Sequence, residues 1–237
     1  MRLIGLLGGM SCESTAIYYR LINEGVRRRL GGLHSAKILL HSFDFAEIQA
    51  LQNSAGWAQA GEILASCGAN LEKAGADCLL ICANLMHRVE PQVAAAVKIP
   101  LLHIADVTGA ALQRRNARRP LLLATRPVME EQFYKVRLEE RFELEVLVPD
   151  SGDRAAAHAI IFEELVRGII TERAKDRYLS IIARAQAEGA DSVIFGCTEI
   201  GMLLARDDLS LPIFDTAVLH AQAAVDFALA DASSLAA

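Results

Sequence analysis

The chain has few aromatic side chains and no long apolar run. Phe, Tyr and Trp make up 5% of the 237 residues, whereas hydrophobic residues make up 53%. The core must therefore consist mainly of Ala, Leu, Ile and Val, a composition typical of α/β proteins with buried parallel strands. Because no apolar stretch is long enough to cross a bilayer, we expect no membrane partner.

The chain also lacks an excess of positive charge. Its formal net charge is -5, which gives no bulk electrostatic basis for binding nucleic acid. The basic segments VRRRL (26–30) and QRRNARR (113–119) are typical of solvated helix ends and loops. We therefore expect neither DNA nor RNA as a partner.

The cysteines are too few and too scattered to form a metal site or a disulfide framework. There are five, at positions 12, 67, 78, 82 and 197, and the pair at 78 and 82 has no second pair to complete a zinc site. The opening segment MRLIGLLGGMSCES has no cleavage site and is interpreted as a strand that enters a glycine loop. We expect a cytoplasmic protein with reduced thiols and no bound metal.

Strand-like and helical segments alternate along the first hundred residues. Strands are predicted at 2–9, 37–43, 77–81 and 99–104. Helices are predicted at 11–30 with Ser11 as the N-cap, at 57–75, and from the end of the third strand to about Val97. Alternation of this kind predicts parallel sheets with right-handed crossovers.

The same order of segments then repeats. GADCLLICANLM (75–86) aligns without a gap with GADSVIFGCTEI (189–200), at an offset of 114 (189 minus 75). IPLLHIA (99–105) matches LPIFDTA (211–217) at an offset of 112 (211 minus 99), and LIGLLGG (3–9) corresponds loosely to PLLLATR (120–126). We infer a duplication.

The inferred duplication predicts an α/β fold of two similar parallel-sheet lobes related by pseudo-symmetry. The first lobe would hold residues 1–104 and 212–237, and the second would hold residues 105–211. Ligands bind outside the carboxyl ends of the strands in such sheets, so we expect the active site in a cleft between the lobes.

The repeat also separates two candidate thiols. Cys197 aligns with Ala83, while Cys82 aligns with Gly196. A displacement of one residue along a strand sends a side chain to the opposite face, so Cys82 should pack inside its lobe if Cys197 faces the cleft. Cys197 also precedes TEIGMLLA, and a helix beginning there would favour its thiolate. Cys197 is therefore the predicted catalytic residue, although a small buried hydrophobe is the alternative.

Four segments resemble a known family: IGLLGGMSCEST (4–15), NLMH (84–87), IFEEL (161–165) and VIFGCTEIG (193–201). Over essentially its whole length the chain resembles the aspartate/glutamate racemases, and YYRLINEG with RLGGLHSAKILLHSFDF resembles the enterobacterial L-aspartate/glutamate-specific branch. Those enzymes use no cofactor, and two cysteines, one per lobe, flank the substrate Cα. The resemblance implies an amino acid or a related carboxylate as substrate, and a homodimer is one assembly that we consider.

The two family motifs differ in how well they are kept. Gly-Cys-Thr-Glu stands intact at 196–199, whereas the cysteine of Cys-Asn-Thr-x-His is replaced by Ala83, where some relatives of this branch have threonine. Alanine can neither give nor take a proton, so we expect altered, one-directional or weak racemase activity unless water, Cys82 or Cys12 serves instead. The resemblance implies substrate contacts at these positions: Met10, Gln52, Ala83, Asn84, Leu85, Thr125, Thr198 and Glu199.

Three other functions stay open from the sequence. A decarboxylase-like enzyme of the same superfamily would use one thiol to protonate a carbanion left by loss of CO₂, and Leu85 and Val128 would suit its apolar pocket. A non-catalytic amino-acid-binding homologue is a second alternative. A cysteine hydrolase using Cys197 with His87 or His220 is weaker, because the glycine pattern of a nucleophile elbow is incomplete.

Overall fold

The computed structural model describes residues 1–230, in which strands and helices alternate. The strands are β1 (Ile4–Gly8), β2 (Ile38–Ser42), β3 (Cys78–Ile81), β4 (Pro120–Leu123), β5 (Ser192–Phe195) and β6 (Ile213–Asp215). The α-helices are α1 (Cys12–Leu30), α2 (Phe45–Asn53), α3 (Trp57–Lys73), α4 (Glu90–Ala95), α5 (Ile104–Arg114), α6 (Arg126–Glu130), α7 (Gln132–Phe142), α8 (Ser151–Glu163), α9 (Glu172–Ala187), α10 (Ile200–Leu203) and α11 (Thr216–Leu229). Short 3-10 turns lie at Leu85–Val89, Leu165–Arg167 and Arg206–Asp208.

Each of two compact units contains one parallel sheet. The first unit holds Met1–Ile104 and the described residues from His220 onward, with strand order β2-β1-β3. The second unit holds Ala105–Leu219, with strand order β4-β5-β6. The predicted α/β class with two similar parallel sheets is therefore confirmed. Within residues 1–230, no helix is both long and apolar enough to span a membrane.

The boundary near residue 212 differs from the sequence-based one. Strand β6 pairs with β5, and the N–H of Val193 donates to the carbonyl of Pro212 at 2.9 Å. Residues 212–219 therefore group with the second unit, whereas the sequence analysis assigned them to the first lobe. The backbone hydrogen bonds between β5 and β6, which the sequence does not reveal, assign residues 212–219 to the second unit.

The strand registers reproduce the internal repeat. Leu79 of β3 forms an isolated parallel bridge with Leu101. Val193, which lies 114 residues (193 minus 79) after Leu79, pairs with Ile213, which lies 112 residues (213 minus 101) after Leu101. Both offsets equal those of the aligned segments, so the alignment of the repeats is confirmed in the sheet registers.

The first strands of the two sheets align one residue differently from the loose sequence match. Ile4 pairs with Cys78, and Pro120 pairs with Ser192. The register gives an offset of 116 (120 minus 4), not the 117 implied by matching Leu3 with Pro120. The runs LIGLL and PLLLA are apolar throughout, so the sequence alone does not fix their phase.

The repeated Gly-Ala-Asp triplet has the same physical role in both units. Its glycine follows a helix and has a positive φ, 99° at Gly75 and 96° at Gly189, which glycine adopts without strain. Its aspartate then fixes the entry to the neighbouring strand. The carboxylate of Asp77 accepts the N–H of Leu3 at 2.6 Å, and that of Asp191 accepts the N–H of Arg119 at 2.9 Å.

Two predicted elements are wrong and one helix end is confirmed. Ser11 caps α1, and its hydroxyl accepts the N–H of Ser14 at 3.2 Å. The strand predicted at 99–104 is reduced to the bridge at Leu101, because α5 already begins at Ile104. The helix predicted after the third strand divides into the 3-10 turn Leu85–Val89 and the short helix α4.

Candidate active site

Most of the predicted site residues, and Asp215, which was not predicted, lie at or just beyond the carboxyl ends of the strands, whereas Gln52 lies in α2. In the first unit, Met10 follows β1 and Ala83 follows β3. In the second unit, Thr125 follows β4, Cys197 follows β5 and Asp215 ends β6. Because neighbouring parallel strands end at the same edge of their sheet, each unit gathers its own set of these residues at one edge.

Cys197 is hydrogen-bonded to a carboxylate. Its thiol donates to Oε2 of Glu199 at 3.0 Å. Thr198 and Glu199 are buried, while Cys197 keeps partial exposure. The sulfur is therefore held by an acidic side chain of its own loop.

The environment of Cys197 raises its pKa well above the ordinary thiol value. Burial is the largest cause, followed by the charge of Glu199 and its hydrogen bond to the thiol, and Asp215 adds to the effect. The predicted stabilisation of the thiolate by backbone N–H groups is limited to the N–H of Glu199, which lowers the pKa of Cys197 by less than burial and the carboxylates raise it. Helix α10 itself begins only at Ile200. At neutral pH Cys197 therefore rests as a thiol.

The corresponding loop of the first unit has the same burial pattern without a thiol at the exposed position. Cys82 and Asn84 are buried and Ala83 is partly exposed, as Gly196 and Thr198 are buried and Cys197 is partly exposed. The predicted packing of Cys82 inside its lobe is confirmed, since its exposed fraction is 0%. Burial raises the pKa of Cys82 and keeps it a thiol.

His87 fixes the loop that carries Ala83. Its Nε2 accepts the N–H of Ile104 at 3.2 Å, so Nδ1 carries the proton and donates to the carbonyl of Ala83 at 2.9 Å. The ring also packs against His103, with centroids 4.5 Å apart. Both nitrogens of His87 therefore bind the backbone, which agrees with a structural role.

His220 is a second neutral imidazole, with no exposed surface. Its Nε2 donates to the carbonyl of Leu102 at 2.6 Å, and its Nδ1 accepts the hydroxyl of Tyr18 at 2.9 Å. Burial lowers the pKa of His220 to about 4, and the bond to Leu102 opposes this shift only in part.

We expect the free energy of unfolding to fall as the pH drops from about 6.5 toward 4. The unfolded chain protonates His220 near its ordinary pKa of about 6.5, but the folded chain does so only near 4, so the unfolded state binds more protons between these values. The loss amounts to about 3 kcal/mol. Urea unfolding at several pH values measures it. His220→Gln should flatten the dependence, whereas His34→Gln, at an exposed histidine, should not. An unchanged slope in His220→Gln would contradict this assignment.

The remaining predicted contacts have distinct local roles. Met10 is buried and follows Gly9, whose φ is 85° and whose N–H donates to the hydroxyl of Thr15 at 2.7 Å. A side chain at Gly9 would collide with the backbone of Phe43, so only glycine fits there. Gln52 donates its amide to the sulfur of Met86 at 3.0 Å.

Thr125 has a buried hydroxyl that no group in the described chain binds. Its Oγ1 is buried without a hydrogen-bond partner, although its carbonyl accepts the N–H of Met129 at 3.1 Å. A buried polar atom usually has a partner, so this hydroxyl is a candidate ligand contact.

Sequence reasoning missed Asp215 as part of the surroundings of Cys197. Its pKa is raised by burial, although its carboxylate accepts the N–H groups of Ala217 and Val218. The signal available was its place at the end of LPIFD, which the repeat aligns with His103. The position of Asp215 at a strand end was therefore informative, but its electrostatic effect on Cys197 could not be predicted from the sequence.

Comparison with known proteins places the chain in a family. The model of the Asp/Glu/hydantoin racemases matches residues 7–224. A Yersinia pestis structure assigned to the Asp/Glu racemases is similar at 47% identity, with a TM-score of 0.92 and coverage of 97% of this chain and 100% of that one. An aspartate racemase homologue from Pyrococcus horikoshii is 33% identical, with a TM-score of 0.86 and coverage of 96% and 99%.

A curated relative is more distant. The broad-specificity amino-acid racemase RacX of Bacillus subtilis is 23% identical over 163 residues, which are 68% of each protein. The family match across residues 7–224, together with the two-sheet architecture, shows that this chain belongs to the Asp/Glu/hydantoin racemase family.

Proposed function

We propose that the protein is a cofactor-independent amino-acid racemase of the aspartate/glutamate type, with Cys197 as its retained catalytic thiol. The observation that carries the proposal is the placement of Cys197, which lies just beyond the central strand of its sheet. It stands within an intact Gly-Cys-Thr-Glu loop and is hydrogen-bonded to Glu199. Racemisation needs one group to remove the Cα proton and another to return a proton on the opposite face. We propose that Cys197 transfers the proton on one of these faces.

Ala83 limits the proposed reaction. The family resemblance pairs this position with Cys197, and its methyl group cannot carry a proton. Since two enantiomers have the same free energy, the net reaction cannot favour one direction at equilibrium. The expected one-directionality should instead appear in the exchange of the Cα proton, which should be faster in one enantiomer than in the other. Inversion of either enantiomer should be slow.

We propose that the substrate carboxylates bind polar groups at the strand ends. The hydroxyl of Thr125 and the loops with Met10, Asn84 and Thr198 supply donors, and the buried Oγ1 of Thr125 supports a ligand contact there. Gln52 and the backbone at Ala83, Leu85 and Glu199 complete the proposed set. In the present structure the amide of Gln52 binds Met86, so this bond would have to exchange for substrate.

A decarboxylase-like reaction is the second candidate. A thiol that rests protonated suits the donation of a proton to a carbanion formed by loss of CO₂, and burial together with Glu199 keeps Cys197 protonated. Val128 is buried and Leu85 is partly exposed, which supports an apolar pocket. A hydrolase is disfavoured, because His87 and His220 bind backbone groups and Cys197 binds a carboxylate.

A substrate panel without added cofactor separates these functions. Chiral chromatography should detect inversion of aspartate or glutamate. CO₂ release from substituted malonates, without inversion of any amino acid, would instead establish the decarboxylase. If neither reaction occurs and an amino acid raises the melting temperature, the protein is a binding homologue.

We also propose a cytoplasmic homodimer. The free state of all five cysteines supports the cytoplasmic location.

An exposed apolar surface supports the homodimer: Tyr19 on α1 and Leu40 on the edge strand β2 are both exposed. Leu40 and Thr15 lie on the same face of the sheet, because a Cβ at Gly8 would meet the side chains of both. Thr15 belongs to α1 and lies one helical turn before Tyr19, so Leu40 is on the α1 side of its sheet. Sedimentation equilibrium, with Tyr19→Glu as the test variant, measures the dimer.

A further inference from the structure

The titratable groups around Cys197 are acidic. Glu199 is buried and accepts the thiol hydrogen bond at 3.0 Å. Asp215, at the end of β6, adds a second partly buried carboxyl, and Tyr178 of α9 is coupled electrostatically to Cys197.

This arrangement is the reverse of the usual activated cysteine. Reactive thiols normally lie beside a cation or a helix N-terminus, both of which favour the thiolate. Here a carboxylate lies at hydrogen-bond distance from the sulfur, and only the protonated thiol can donate to it. Loss of the proton would leave two negative groups in contact, which is unfavourable in a buried place.

The two carboxyl groups are not a requirement of the fold. The internal repeat places Leu85 at the position equivalent to Glu199, at an offset of 114 (199 minus 85), and His103 at the position equivalent to Asp215, at an offset of 112 (215 minus 103). The first unit builds the same strand-end loop without either acid. The acids therefore distinguish the unit that carries the thiol.

We propose that Glu199 is a positioning residue that holds the proton on Cys197, so that this thiol acts as the acid toward the reacting carbon. This inference rests on the proposed role of Cys197. In the step it serves, the S–H bond breaks, the electron pair of the substrate carbanion forms the new C–H bond, and sulfur is left as a thiolate. That thiolate then recovers a proton from water or from the Cα–H of a substrate.

The test is the titration of Cys197 itself, which needs no substrate. Glu199→Gln keeps a side-chain oxygen that can accept the thiol hydrogen bond but removes the charge. Pulses of iodoacetamide between pH 6 and pH 10, with peptide mapping, should give a labelling midpoint at least about one pH unit lower in Glu199→Gln. At pH 7.5 the labelling of Cys197 should rise about threefold or more, because a tenfold gain in thiolate is partly offset by its lower nucleophilicity.

Matched variants separate the local effect from net charge. Asp207→Asn removes one exposed acid of the same unit and should leave the midpoint unchanged. Glu199→Asp keeps a carboxylate and should keep the midpoint high. Cys78 and Cys82 have no exposed surface, so their protection during each pulse shows that the variant is folded.

An unchanged or higher midpoint in folded Glu199→Gln would overturn the proposal. In the parent protein, a midpoint for Cys197 at or below the ordinary thiol value of about 8.5 would also refute the proposal, whether or not Glu199→Gln folds. If Glu199→Gln unfolds, Glu199→Ser replaces it as the charge-removing variant, and its midpoint should also fall, whereas burial alone would leave the midpoint unchanged. Since labelling requires no turnover, a protein that racemises nothing would refute the proposed function without affecting this result.

Discussion

Replacing Cys197 with alanine should abolish turnover of the amino-acid substrate while leaving the fold intact. Cys197 is the one family thiol kept at a strand-end loop, and its sulfur is the group that we propose moves the Cα proton. Loss of a general acid or base commonly lowers a rate by ~10²–10⁴-fold, which corresponds to about 3–5 kcal/mol in the activation barrier. Isotope exchange at Cα, followed by mass spectrometry, is sensitive enough to measure this loss even if the parent enzyme is slow.

Two further variants make the result specific. Cys197→Ser should also be inactive, because a hydroxyl in this acidic setting gives up its proton far less readily than a thiol. Cys82→Ala should keep the parent rate, since its side chain is buried and its thiol stays protonated. Loss of activity in folded Cys82→Ala, with activity kept in Cys197→Ala, would reverse the assignment of the two cysteines.

Introducing a thiol in place of Ala83 should raise racemisation of aspartate or glutamate by ~10²–10⁴-fold over the parent protein. Ala83 is partly exposed, so a larger side chain has space, and His87 fixes its carbonyl at 2.9 Å. The double change Ala83→Cys with Leu85→Thr also restores the hydroxyl of the family motif. Chiral chromatography of both enantiomers measures the gain.

The gain should depend on both positions. Adding Cys197→Ala to Ala83→Cys should return the rate to the background, because racemisation needs a proton carrier on each face. Ala83→Ser, which adds a polar atom without an acidic thiol, is the matched control and should gain little. Equal gains in Ala83→Ser and Ala83→Cys would show that pocket polarity, not a second thiol, limits the parent enzyme.

The strand-end positions of the site could be predicted because the repeat carries them. The spacing of Gly75-Ala76-Asp77 from Gly189-Ala190-Asp191 fixed the alignment that placed Cys197 opposite Ala83 in sequence, and the sheet registers have the same offsets. Helix α1 was predicted because Ser11 is a local cap. Such features depend on neighbouring residues along the chain.

Features that depend on distant residues were not predictable. IPLLHI at 99–104 has the composition of a strand, but only Leu101 finds a bridge before α5 begins. The pKa of Cys197 was predicted to be lowered, because the local sequence suggested a helix dipole, but its net shift is upward. The structure instead brings Asp215, 18 residues later (215 minus 197), to act with Glu199 on the thiol.

The most direct test of the account follows deuterium at Cα of each enantiomer separately, in D₂O and without cofactor. If Cys197 alone carries the proton, its thiolate removes the Cα–H of the enantiomer that presents hydrogen to it, exchanges with solvent and returns deuterium to the same face. The account predicts deuteration of one enantiomer of aspartate or glutamate with retention, faster than inversion, rising with pH and absent in Cys197→Ala. Equal exchange of both enantiomers with inversion keeping pace, or exchange that survives Cys197→Ala, would contradict it.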